Sequence, residues 1–526
     1  MSDTAPRTYH APSNNATALG CSLHDILTTI KAEVKAFPHF QLYHDDLNPI
    51  STPIQLLLPE NGMRLQFDGP DQRLRLIEVL DFAKAKLVYK DIDVFKPGDG
   101  LGGMTAGPQG PRFRHIYDKL LGPTYGGEYV PPRSEDPDAK GTYNLSYPGI
   151  AFNFKVQHSA YSPKKDFISL LSSSATGPAT SMAIFHGESW QKARATLFTA
   201  MPPNPRSTAL AGSKGREGGP DEIDLVKVHG EGRIELVRRS SPPFWIVLSE
   251  TTPQDLIMEL GAPDSIYRKS DHRLSIHKER AASDASDHSP GGLTPDDLLD
   301  SDHGSAIGTD NEDDWEDDDE AALEAQEREV AAAEHFYNYY HHGFDILVSQ
   351  PTRISPPSPT IERREPELHE EGELSAQPLN HLTATKIIFH GNVPGSYQFN
   401  RHRRSRWTLE HVPSAQYREA LHSEMDFSDI SGRLKEVFQP YYDSEEQERL
   451  QQRGMPLNRG WGDSPGSSCE LLGGWEDGTA RRSKFTNAGS VLVDGATDVG
   501  NVELFGFPGL VFEVLKNGAV SSLTVY

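Results

Sequence analysis

Apolar and polar residues alternate along several short stretches of this chain, and the stretches come in pairs. Phe507-Pro508-Gly509-Leu510-Val511-Phe512-Glu513-Val514 leads through Leu515-Lys516-Asn517-Gly518 into a second run from Ala519 to Tyr526. Alternation on both sides of an Asn-Gly dipeptide predicts two antiparallel strands joined by a primed turn. Upstream, Asn61-Gly62-Met63-Arg64-Leu65-Gln66-Phe67 precedes a turn at Gly69-Pro70 and a second strand from Arg73 to Val79. Pro148-Gly149-Ile150-Ala151-Phe152 and His342-Gly343-Phe344-Asp345-Ile346 open in the same way. The pattern predicts four copies of one hairpin.

Helical spacing precedes each copy. Ser22 stands as a cap before Leu23, Ile26, Leu27, Ile30 and Val34, with Pro38 as the stop. Phe113, Ile116, Tyr117, Leu120 and Leu121 form a short stripe ended by Gly122-Pro123. Thr252-Pro253 with Asp255 is the clearest helix start, and Ile430, Leu434, Val437 and Phe438 share one face before Pro440. Further strands are expected at 54–58, 86–89, 143–156, 182–187, 223–228, 234–237, 244–248, 266–277, 336–348 and 386–391. Ile-Phe-His-Gly occurs at both 184–187 and 388–391.

The fold class expected is α+β: repeated modules of a short helix followed by antiparallel hairpin strands, with long disordered insertions. Residues 1–20 read as a disordered N-terminus, 21–95 as the first module, and 111–250 as a second with insertions and extra strands. The third, 251–410, is interrupted by an acidic insertion at 279–334, with a short helix expected at 321–333, and by a Pro/Glu-rich one at 351–383. The fourth, 427–526, carries a polar insertion at 441–500. Mean hydropathy of -0.56 suits ordered modules alternating with polar segments.

Composition narrows the function classes. A net charge of -25 would repel a phosphate backbone, so no nucleic-acid partner is expected. Two cysteines, Cys21 and Cys469, make neither a disulfide framework nor a thiolate zinc site, which points to a reducing compartment. No run of about 18 apolar residues exists to span a membrane, and the first residues lack the basic and apolar parts of a signal peptide. A cytoplasmic location is expected.

Motifs that would carry chemistry fail on inspection. Gly98-Asp99-Gly100-Leu101-Gly102-Gly103 has dinucleotide-loop spacing but runs into Met104-Thr105-Ala106-Gly107-Pro108, which cannot open the required helix. Gly462-Asp463-Ser464-Pro465-Gly466 mimics a nucleophile elbow, yet Pro465 lacks the N–H that would bind an oxyanion. His369-Glu370-Glu371-Gly372-Glu373 lacks the second histidine of a zinc-protease helix. His341 and His342, with His335 nearby, would point to opposite faces of a strand rather than to one ion. No catalytic residue, cofactor or metal is expected, and His186 and His390 read as turn residues with a hydrogen-bonding role. The one basic concentration is Arg401, Arg403, Arg404 and Arg406 beside Trp407, a set suited to an anionic lipid headgroup.

Taken together, Leu23-His24-Asp25-Ile26, Asn61 to Asp68 with Gln72-Arg73-Leu74, and Thr252-Pro253-Gln254-Asp255 to Gly261-Ala262-Pro263 closely resemble one family. So do Tyr337-Asn338-Tyr339, Asn392-Val393-Pro394-Gly395-Ser396-Tyr397-Gln398-Phe399-Asn400 and Phe512-Glu513-Val514 to Tyr526. It is the phagosome (phagophore) assembly factor 1 family. The resemblance implies a non-enzymatic cytosolic scaffold in autophagy, recruited to the phagophore assembly site with a WD-repeat β-propeller protein that binds phosphoinositides. An older assignment it carries is Golgi-to-plasma-membrane trafficking. Insertions at about 157–179, 201–221, 279–334, 351–383 and 441–500 depart from the compact family pattern.

Overall fold

The computed structural model describes residues 18–96, 110–133, 139–200, 221–268, 334–351, 381–412, 420–458 and 501–526. Helix α1 (Leu23–Ala32) begins where Ser22 Oγ accepts the Asp25 amide at 3.1 Å, and it buries Leu23, Ile26, Leu27 and Ile30. Strands β1 (Gln41–Tyr43), β2 (Ile54–Leu58), β3 (Met63–Phe67) and β4 (Leu74–Val79) follow as a meander. Its strict two-residue period puts Ile54, Leu56 and Leu58 against the helix. A short hairpin, β5 (Val88–Tyr89) with β6 (Ile92–Asp93), stands apart from the main sheet. The expected strand at 86–89 is that first arm.

A π-helical turn, His115–Leu120, leads to a second meander: β7 (Gly127–Val130), β8 (Lys140–Tyr147), β9 (Ile150–Gln157) and β10 (Thr176–Phe185). Strands β4 and β10 pair antiparallel, with Ile77 opposite Ile184, and join the two meanders into one eight-stranded sheet. The stretch from 157 to 179 is built in, not an excursion. Asp166 caps α2 (Phe167–Leu171), whose Leu170 and Leu171 enter the core, and β10 starts at Thr176 rather than at Met182. Helix α3 (Trp190–Thr196) covers Leu76, Ala151, Ala183 and Phe185 on the outer face.

Strands β11 (Ile223–Gly230), β12 (Arg233–Arg238) and β13 (Phe244–Val247) do not extend the second meander. They form a third sheet with β18 (Trp407–Leu409) and β19 (Leu421–His422), and β11 with β18 is a parallel pair among otherwise antiparallel ones. Only tertiary contact could reveal a partner 180 residues away.

Helix α4 (Pro253–Leu260) starts where expected, and Thr252 and Asp255 bond reciprocally in a capping box. The third meander is β14 (Ser265–Arg268), β15 (His335–Tyr339), β16 (Phe344–Ser349) and β17 (Thr383–His390). Helix α5 (Phe427–Phe438) and helix α6 (Glu445–Gln451) then precede β20 (Met455–Asn458), β21 (Asn501–Phe507), β22 (Leu510–Leu515) and β23 (Val520–Val525). Part of the expected polar insertion at 441–500 is therefore a helix and an edge strand. Pairing of β17 with β23 closes a second eight-stranded sheet. One core joins it to the third sheet and to helices α4 and α5, and takes in Val226, Ile246, Leu256, Phe389, Ile430 and Phe512. The whole is mixed α+β with mostly antiparallel sheets.

Each meander enters its third strand through a glycine of positive φ: Gly62 (63°), Gly149 (79°), Gly343 (90°) and Gly509 (75°). A side chain at 343 would bring its Cβ to 2.4 Å from the Arg403 carbonyl. The terminal turn differs from expectation. Of Asn517 and Gly518 only the glycine has positive φ, the Gly518 amide donates to the Leu515 carbonyl, and the register shifts between Glu513 and Val514. That is a type I turn closed by a left-handed glycine and a bulge, not a primed two-residue turn. The dinucleotide-like loop, the serine and histidine motifs at 462–466 and 369–373, the acidic tract, the 321–333 helix and Cys469 lie outside the described residues, as does most of the strand expected at 266–277.

Candidate functional site

The two large sheets meet at a polar seam. One side is the β3–β4 turn, Asp68 to Arg73; the other is the strap of residues 391–406, which runs from β17 to β18. Gln72 Nε2 donates to the Asn392 carbonyl at 2.8 Å, and Asn392 Nδ2 donates back to Gln72 Oε1 at 2.8 Å. Both residues hold positive φ, 51° and 46°. Arg73 pairs with Glu222 at 2.9 Å, and Glu222 also faces Arg403 and Arg239. Arg75 binds Asp68 in the interior, where burial pushes the Asp68 carboxyl upward against the pull of Arg75.

Under the strap lies a second cluster. Asp345 on β16 accepts from His390 Nε2 through Oδ2 and from His402 Nε2 through Oδ1, each at 2.9 Å. The two imidazoles stack, with centroids 3.7 Å apart and planes 15° from parallel. All three side chains are buried. Burial works against the Asp345 charge, yet His402 and His390 hold its carboxyl well below the usual range. Burial, together with the His390 charge, lowers His402 to about 4, against the opposing pull of Asp345.

Among the described residues this is the group whose ligand atoms lie close enough for one ion. It does not fit one. Rings sharing a metal at about 2.0–2.1 Å must radiate from it in their own planes, which sets their centroids about 4.5–5 Å apart. Face-to-face stacking aims the two Nε2–H groups in parallel at one carboxylate instead. Metal-bound histidines also donate their second nitrogen outward, whereas His390 Nδ1 and His402 Nδ1 have no hydrogen-bond partner. The cluster can share, hold or release protons.

The arginine set expected at a lipid surface is at the seam instead. Arg404 is buried, donating to the Pro70 and Gly391 carbonyls at 2.6 Å each, and burial pulls its guanidinium pKa down. Arg406 spans Asp71 at 2.5 Å and Glu424 at 2.7 Å, and these carboxylates outweigh its burial to push it up. Burial opposes the Glu424 charge, but the His422 hydrogen bond and the two arginines hold it well below the usual range. Arg403 pairs with Glu222, and the Arg401 carbonyl lies 3.2 Å from His24 Nε2. Trp407, 2% exposed, stands against Phe512 in the core. The buried guanidinia of Arg403 and Arg404 and the interior indole of Trp407 cannot face a bilayer, whereas Arg401 and Arg406 are partly exposed.

His341 and His342 occupy a turn rather than a strand, so they do not point to opposite faces. Their centroids are 4.0 Å apart, His341 bonds Asp264 at 2.6 Å, and His342 stacks on Phe344. The repeated Ile-Phe-His-Gly string also separates in space: His186 is exposed, whereas His390 is in the cluster. Asp345 gave no signal in sequence, because the two-residue period places it on the face opposite Phe344, Ile346 and Val348. Cys21 is buried, and burial pushes its thiol up to about 11, which keeps it protonated.

Among the described residues no helix is long and apolar enough to cross a membrane. The chain matches the family model described as phagosome assembly factor 1 over residues 14–291 and 379–526. It is 21% identical over 522 residues to a PHAF1 protein of Arabidopsis thaliana, covering 97% of this chain and 90% of that one. A PHAF1 protein of Drosophila melanogaster is also 21% identical, over 527 residues, with the same coverage of 97% and 90%. No solved structure matches. Asp345 falls between the two matched segments, whereas His390 and His402 fall inside the second.

Proposed function

This chain belongs to the phagosome assembly factor 1 family, and on that premise we propose that it is a non-enzymatic scaffold in autophagy, recruited to the phagophore assembly site. The observation that carries this reading is the extent of the family match, which takes in strands of all three larger sheets. In support, the buried carboxylates and guanidinia described above neutralise one another at the seam rather than converging on an open cleft. We read the four meanders, each with its glycine entry, as four copies of one module stacked in pairs.

The proposed partner is a WD-repeat β-propeller protein that supplies phosphoinositide binding, so contact with membrane is indirect. This division of labour fits the burial of Arg403, Arg404 and Trp407 within the arginine run. Affinity purification of the tagged chain from fed and starved cells tests it. A β-propeller protein is expected in the starved sample, together with puncta on autophagic markers. Recovery of none, with no relocalisation, overturns the reading; steady residence on Golgi markers favours an adaptor in Golgi-to-plasma-membrane trafficking instead.

A further inference from the structure

The strap of residues 391–406 is fastened at both ends of its function. Toward the first sheet it carries Asn392, which binds Gln72, Arg404, which binds the Pro70 carbonyl, and Arg406, which binds Asp71. Toward the second sheet it carries His402, held on Asp345 beside His390. We propose that His402, stacked on His390 and held on Asp345, is a proton-operated latch that holds the strap, and through it the first sheet, while its ring is uncharged, and frees the strap when that ring takes up a proton.

The geometry supplies the reason. One carboxylate receives both Nε2–H groups, so the uncharged pair is satisfied on that side and presents two buried Nδ1 lone pairs on the other. A proton added at either Nδ1 becomes a buried donor facing no acceptor. Two protons place two cations 3.7 Å apart with one carboxylate between them. The surrounding groups give little relief. Tyr340 from the β15–β16 turn presents its ring to His402, Arg401 on the strap repels a charged His402, and Arg403 is committed to Glu222. His24 from α1 is engaged by the Arg401 carbonyl through Nε2 and by Asp25 through Nδ1. On the neighbouring strands, Ser522 stands opposite His390 and donates to Glu513 at 3.3 Å. His390 is fixed on β17, whereas His402 rides on the strap, so His402 is the ring that leaves.

The inference rests on these contacts and not on the scaffold reading. Hydrogen exchange on the full chain tests it, with rates corrected for the intrinsic effect of pH. The reporters are the Arg403 and Ser405 amides, which donate to the Tyr340 and His390 carbonyls at 2.8 Å each, and the turn 68–73. Between about pH 7.5 and about pH 4.5 we expect protection there to fall about tenfold or more, while β9 amides keep theirs. In His402→Gln, whose amide still donates to Asp345 but does not titrate, strap exchange is expected to be independent of pH. Unchanged wild-type protection, loss in β9 to the same degree, or an equal pH response in His402→Gln overturns the latch. If His402→Gln does not fold, the wild-type comparison of strap against β9 decides alone.

Discussion

Gln72 and Asn392, 320 positions apart, exchange side-chain and main-chain hydrogen bonds at 2.8 Å, and both do so from left-handed backbone conformations. Asn392 Oδ1 accepts the Asn400 amide as well, at 2.7 Å. Replacing Asn392 by Ala leaves the Gln72 Nε2 bond to the main-chain carbonyl but removes both side-chain bonds, stranding Gln72 Oε1 and the Asn400 amide, and keeps a Cβ at positive φ without the side-chain contacts that hold it there. A loss of about 2–4 kcal/mol is expected from the urea midpoint. Asn392→Gly should lose less than Asn392→Ala, because it relieves the backbone term. Equal losses would mean that the amide contacts alone set the cost.

Arg404 separates a structural from a membrane role. Arg404→Met keeps the length of the side chain but leaves the Pro70 and Gly391 carbonyls unbonded and Glu424 with one fewer cation. A destabilisation of about 3–5 kcal/mol is expected. Binding of the folded variant to anionic liposomes should equal wild type, measured by co-sedimentation. A selective loss of liposome binding at unchanged stability would favour the surface reading of the arginine set.

The turn after β22 is coupled to the start of α5. At Gly518, with φ 81°, an added Cβ would stand 2.3 Å from Asp426 Oδ2, the carboxylate that caps α5. Gly518→Ala is expected to cost about 1–3 kcal/mol. Thermal melts of Gly518→Ala, Asp426→Ala and the double variant should show non-additivity, since removing the carboxylate removes the clash. Strict additivity would show that the cost is one of φ alone.

Stability should fall in acid, in two steps. His402 is lowered to about 4 from an ordinary 6.5, so between these values the unfolded chain binds the extra proton. Stability from this residue is complete above about pH 6.5 and is lost as pH drops toward 4, by up to about 3 kcal/mol. Asp345 and Glu424, both held below the usual range, add their share only below about pH 4. Urea midpoints taken across this range should therefore decline before the carboxylates titrate. A flat profile from pH 7 down to about 4.5 would place the His402 proton elsewhere.

Local pattern made much of the fold legible. Ser22, Thr252 and Pro253 mark helix starts because capping is settled within one turn of chain. Ile54 to Leu58 and Phe507 to Val525 read as strands because a half-buried sheet imposes a two-residue period on its own sequence. The family was legible too, through anchors spread from Leu23 to Tyr526, and the match over 14–291 and 379–526 agrees. The Arg401 to Trp407 run misled, since charge composition says nothing about whether a counter-charge waits 335 residues away.

What the sequence determined by itself, then, was what short-range physics encodes: caps, strand periods, the glycine entries and the α+β class. The tertiary structure alone decided that β11 lies beside β18, that Arg406 meets Asp71, and that Asp345, His390 and His402 share one buried site. Those contacts join residues far apart in the chain. Their energies depend on burial, which removes water and makes each unpaired charge costly, and burial exists only once the sheets have packed.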